Sequence, residues 1–141
     1  DFDSELVQKT YDILSPHVVG PTGRRVEIFY DQVRLKLGRR FDLDFMNALL
    51  CSTGAVPIVS LDALERMKRI NRDSPEDHLL MEWSLILELQ AAGRLKFCVP
   101  VLVGKVEEGS AIGNFFADDP FSTLPQVVPT QTVEEVKSFL A

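Results

Sequence analysis

Two short apolar runs set the strongest limit on how this chain folds. Ala55-Val56-Pro57-Ile58-Val59-Ser60 shows no alternation of polar and apolar positions, and residues 95–103 are nearly as uniform. A strand with one face in water alternates, whereas a continuously apolar strand is buried on both faces, the habit of parallel sheets. Pro57 counts against the first strand, because proline removes a ladder donor; Pro100 lies inside the second. Between the runs, residues 79–92 carry a strong helical pattern that Gly93 closes as a C-cap.

The rest of the chain continues the alternation. Residues 1–5 (Asp-Phe-Asp-Ser-Glu) read as a helix start, with small polar caps and an acidic first turn facing the helix dipole. Leu6, Val7, Tyr11 and Leu14 follow at helical spacing, and the helix should end near Ser15-Pro16. Residues 20–23 are a turn, residues 26–30 a strand that Asp31 closes, and residues 32–41 a basic loop around Gly38. Asp42 caps a second helix with Phe45, Met46, Leu49 and Leu50 on one side, and residues 61–67 make a short helix. Residues 104–125 form a long loop, Val127-Val128 a short last strand, and Thr132 starts a final helix with Val133, Val136, Phe139 and Leu140 on its apolar side. The expected fold is therefore α/β: a doubly wound, flavodoxin-like parallel sheet with helices on both faces. Such folds take ligands beyond the carboxyl ends of their strands, here residues 30–41, 60–77 and 104–125. The chain opens on a helix where this fold would open on a strand.

A length of 141 residues suits one domain, residues 1–141. The formal charge of −6 argues against a nucleic-acid surface, which needs a basic stripe to displace counterions. Cys51 and Cys98 stand far apart, with no Cys/His cluster around them, so the expectation is free thiols packed as small hydrophobes, no metal, and a cytoplasmic setting. No apolar run approaches the roughly 20 residues that span a bilayer.

One carboxylate is out of place. With successive residues turned by about 100° around the helix axis, Glu82 sits between His78 and Leu89 on one side and Ile86 and Leu79 on the other. Ser84 and Glu88 mark the solvent face elsewhere, so Glu88 is the less interesting glutamate. A carboxylate within an apolar arc is either partly desolvated or open to a cleft. The structural alternative is an acid near a helix start that the dipole favours and a loop amide engages. Trp83 falls among Leu79, Ile86 and Leu87 and is expected in the core.

Residues 26–31, the basic loop through Gly38 and the helix from Phe45 to Ser52 resemble the second strand, the following loop and the second helix of a Toll/interleukin-1 receptor (TIR) domain. Val56-Pro57-Ile58-Val59-Ser60 and Val99-Pro100-Val101-Leu102-Val103 are similar to that family's third and fourth strands. Leu79-Leu80-Met81-Glu82-Trp83 looks like the start of the helix on which enzymatic TIR domains carry their glutamate. The resemblance implies a three-layer α/β/α domain that cleaves the nicotinamide–ribose bond of NAD+, with Glu82 as its catalytic residue and NAD+ as substrate, no cofactor being required. A carboxylate beside the sugar would hold the ribose hydroxyls and stabilise an oxocarbenium-like centre; water or the adenine ring would then attack. Tyr30, Asp31 and Ser60 lie at strand ends and would line the substrate site, and His78 would modulate the charge of Glu82 or simply face solvent. Arg34, Lys36, Arg39 and Arg40 would meet the diphosphate or an acidic face of a neighbouring TIR domain, or stay solvated. Phe41 would stack on a ring or begin the core side of its helix. The partners implied are NAD+ and other TIR domains in a homo-oligomer or filament, with no nucleic acid and no membrane segment.

The chain departs from the family in two places. No first strand ending in Ser-Tyr or Ser-Phe is present, and since it would occupy the middle of the sheet, an apolar strand is expected just upstream of Asp1. Asp77-His78 also replaces the Trp-Cys pair common one turn before the glutamate. Two other readings remain. A non-enzymatic TIR module would work by self-association through the basic loop and leave Glu82 idle. A phosphorylation receiver would use Asp31 and Lys105 but gives the basic loop no role.

Overall fold

The computed structural model describes residues 2–16, 21–23, 25, 27–30, 41–75, 77–104, 124–125 and 128–141. The chain divides into two compact units, Asp1–Phe45 and Met46–Ala141.

The first unit is built on helix α1, Phe2–Leu14. Glu5 and Lys9 pair across one turn at 2.7 Å, with the acid N-terminal to the base as the helix dipole favours. The Lys9 ammonium holds the Glu5 carboxyl below its usual range. Ser15 N still donates to Tyr11 O at 2.8 Å, and Pro16 follows where the helix pattern was expected to stop. Gly23 adopts a left-handed φ of +73° in the expected turn. Past it, Arg25 Nε donates to Ser15 O at 2.9 Å, near the end of the helix. Tyr30 is buried with its ring centroid 5.5 Å from that of Tyr11, and Phe29 meets Phe45 edge-on at 5.8 Å. Residues 27–30 do not form the expected strand. Strand character needs a ladder, and these residues find no partner strand among the described residues.

The boundary between the units falls within helix α2, Phe41–Leu50, which buries Met46 and Leu49 in the second unit. There the two apolar runs pair in parallel: β1 (Gly54–Ala55) with β3 (Phe97–Cys98), and β2 (Ile58–Ser60) with β4 (Val101–Val103). Gly54 faces Phe97 and Ile58 faces Val101, the same offset on both sides of the break, so Pro57 stands opposite Pro100. Val99 N donates to Ala55 O at 3.0 Å and Val101 N to Pro57 O at 2.9 Å, which carries the ladder across. The break arises because Pro57 lacks the N–H that would return a bond to the second strand. Pro100 points the opposite way, by strand alternation, and removes a donor from the outer edge instead.

Helices α3 (Leu61–Met67) and α4 (His78–Ala91) make the crossover between these strands. Ser60 caps α3, its Oγ accepting from Ala63 N at 3.1 Å, and Leu64 and Met67 turn inward. In the loop, Asn71 Oδ1 accepts from Asp73 N and Ser74 Oγ from Asn71 N, so side chains satisfy the backbone between the helices. Gly93 at φ +69° ends α4 as expected: its N–H bonds Gln90 O at 3.0 Å and Arg94 N bonds Leu89 O at 2.9 Å, the paired bonds of a Schellman motif. Helix α5, Thr130–Leu140, starts two residues before the expected Thr132 and packs against α4. Val128 is not in a strand, and Val127, like most of residues 104–125, lies outside the described residues.

The strand pair is not buried on both faces as its composition implied. Val56, Phe97 and Val99 are about half exposed, at 49%, 51% and 54%, whereas Ala55 on the alternate face is buried. Two paired strands with helices packed against them, α3 on β2 and α4 on β3, leave part of this surface uncovered among the described residues.

Candidate functional site

The candidate site grows out of the carboxyl end of β2. Ser60 is the last strand residue and also the cap of α3, so the strand hands over directly to a helix. From the last turn of α3, Arg66 reaches Asp77: its Nε and Nη2 both donate to Asp77 Oδ2, at 2.9 and 2.7 Å. The other carboxylate oxygen, Oδ1, accepts from Leu80 N at 3.0 Å and caps α4. Asp77 O also accepts from Met81 N at 2.9 Å. One aspartate therefore ties the end of one helix to the start of the next. In the sequence Asp77 stands out as a departure from the Trp-Cys pair; the signal for its structural part is a helix-capping residue directly before a long apolar helix.

On α4, Met81, Leu85, Ile86 and Leu89 are buried. Glu82 falls between Leu89 and Ile86 around the helix and is half-buried. It is engaged by a neighbouring group, as is His78. His78 is exposed at the first position of the helix, and Glu88 is exposed on the outer side. The buried arc shares Ile86 and Leu89 with the expected one but is shifted towards Met81 and Leu85: Leu87 is 64% exposed and Trp83 half-buried rather than a core residue. A helix this apolar offers several faces, and contact with α5 and β3 decides which one is used.

Several expected site residues stand elsewhere. Ser60 is 4% exposed, and its hydroxyl serves the backbone as a cap, which gives it a local structural task. Tyr30 belongs to the first unit, where its ring packs beside Tyr11. Phe41 opens α2, but its side chain lies outside the description. Asp31, Arg34, Lys36, Gly38, Arg39 and Arg40 lie outside the described residues, as does Lys105. Both cysteines are free, but neither is the small buried hydrophobe expected: Cys51 is exposed after the end of α2 and Cys98 is half-buried on β3. Among the described residues no cluster of His, Cys, Asp and Glu is arranged to hold a metal, and no helix is long and apolar enough to cross a membrane.

Among the described residues, this arrangement offers a carboxylate, Glu82, partly withdrawn from water near the start of a helix braced to a strand end. No family model, curated protein or solved structure matches the chain.

Proposed function

We propose that this chain is a TIR-type domain, a doubly wound α/β/α fold acting in the cytoplasm, and that it cleaves NAD+ at the nicotinamide–ribose bond with Glu82 as the catalytic carboxylate. The observation that carries this reading is the position of Glu82, half-buried on the inward-facing arc of α4, where an ordinary helix would place an apolar residue. In surroundings drier than bulk water, the attraction of a carboxylate for a developing cation is stronger. Support for the fold comes from the parallel pair at residues 54–60 and 97–103 with its helical crossover, the repeating unit of such sheets. Free Cys51 and Cys98 suit a reducing compartment.

In the proposed reaction the nicotinamide ring leaves as a neutral base, taking the electrons of its bond to the ribose. Glu82 holds the ribose hydroxyls and stabilises the positive charge left on the sugar, and water or the adenine ring of the same molecule completes the exchange. His78, one turn before Glu82 on α4, would line the same site.

The test is nicotinamide release from NAD+, followed over a range of protein concentrations because assembly can complete such a site. Glu82→Ala should lose at least about a hundredfold in rate while keeping the wild-type circular dichroism spectrum. Equal rates for wild type and Glu82→Ala would remove Glu82 from the mechanism. A second reading, a signalling module that only self-associates, is favoured by the half-exposed apolar residues Val56, Phe97 and Val99. It predicts concentration-dependent association with no nicotinamide released.

A further inference from the structure

The bond pattern around Asp77 points beyond Glu82 itself: we infer that Arg66 and Asp77 are positioning residues, a clamp that fixes the start of α4 and with it the place of Glu82 relative to the end of β2. The inference rests on the proposed role of Glu82 for its consequence in catalysis, but its structural part stands alone.

The geometry divides the Asp77 carboxylate between two tasks. Oδ2 takes both Arg66 donors, and Oδ1 takes Leu80 N from the first turn of α4. Two donors from one planar guanidinium fix direction as well as distance, which a lysine ammonium would not do. The clamp has a firm base, because α3 is capped by Ser60 and packs on β2 through its own contacts. A continuous chain of bonds and helices thus runs from strand to glutamate: Ser60, α3, Arg66, Asp77, then α4, with Glu82 one turn beyond His78.

Exposure argues that the purpose is placement. The Arg66 side chain is 56% exposed, so its ion pair with Asp77 adds little to global stability beyond the cap that Asp77 itself supplies. Helix α4 would survive its loss, held by Met81, Leu85, Ile86 and Leu89. What would loosen is the first turn, where Leu80 N depends on Asp77. A catalytic carboxylate is sensitive to small displacements that stability barely registers.

The experiment uses the full chain with Arg66→Ala, Arg66→Lys and the double variant Arg66→Ala/Asp77→Asn, in which the asparagine keeps a capping side chain while removing the charge. Amide exchange is read at Leu80 and the rate and pH profile from nicotinamide release. Arg66→Ala should speed exchange at Leu80 and lower kcat by about 10- to 100-fold. It should also move the acid limb of the kcat profile by about half a unit or more, since a displaced Glu82 meets a different environment. Arg66→Lys should recover part of both losses, and the double variant Arg66→Ala/Asp77→Asn should be no worse than Arg66→Ala, because the two residues act through one bond network. Unchanged exchange at Leu80 in Arg66→Ala overturns the clamp. Faster exchange with kcat and pH profile unchanged overturns the positioning role. If the wild type releases no nicotinamide, the catalytic reading fails separately, and exchange at Leu80 still decides the clamp.

Discussion

Ser60 and Thr132 are both buried hydroxyls, at 4% and 0% exposure, and they differ in what their oxygens do. The Ser60 Oγ accepts from Ala63 N, whereas Thr132 Oγ1 finds no hydrogen-bond partner among the described residues. Removing a hydroxyl that caps a helix leaves a backbone donor unmet, so Ser60→Ala should destabilise the fold by about 1 kcal/mol. Replacing a hydroxyl that bonds nothing by a methyl group of the same shape removes a desolvation penalty, so Thr132→Val should stabilise by about 1 kcal/mol. Denaturant midpoints of the two variants check both signs, and two shifts in the same direction would defeat the contrast. The cap at Ser60 was open to view in the sequence, as a serine between an apolar run and a helix, yet its place at a strand end suggested substrate contact. Thr132 was expected to open its helix, and instead it stands in the first turn with its hydroxyl buried. Its burial depends on how α5 lies against α4, which no local pattern encodes.

Helix α4 shows what periodicity can and cannot decide. Its limits, His78–Ala91, lie within one residue of the expected 79–92, because the markers are local: a capping aspartate before it and a glycine after it. Its buried face was less legible. Apolar residues surround most of the helix, and packing against α5 and β3 selects Leu85, at 0% exposure, over Leu87, at 64%. Truncating a fully buried leucine loses both its transfer energy and the packing around the cavity, so Leu85→Ala should cost about 2–5 kcal/mol. Leu87→Ala should cost less than about 0.5 kcal/mol, since most of its surface is already in water. Chemical denaturation of the pair measures the difference directly. Comparable losses would mean that the helix is turned the other way, and Glu82 would then leave the inward arc on which its proposed role depends.

At the scale of the chain, the alternation of helix and strand was readable where two strands found each other and unreadable where a strand stood alone. Residues 54–60 and 97–103 pair because a helical crossover brings them side by side; residues 27–30, no less β-prone in composition, have no partner strand among the described residues. Pairing is a property of two segments, so a single segment's composition does not establish it. The same limit explains the expectation of burial on both faces: uniform apolarity reveals what a strand prefers, while exposure depends on what lies over it. Val99 makes this measurable. It is 54% exposed. Val99→Lys should therefore leave the unfolding midpoint within about 0.5 kcal/mol of wild type, because a charge on a wet strand face keeps its hydration. Under the reading in which the chain self-associates, it should also reduce association at high protein concentration, since a lysine interrupts the exposed apolar strip. Light scattering and denaturant unfolding on the same samples separate the two effects. A loss of several kcal/mol would mean that Val99 is covered in the folded protein, and the half-open sheet described here would have to close over it.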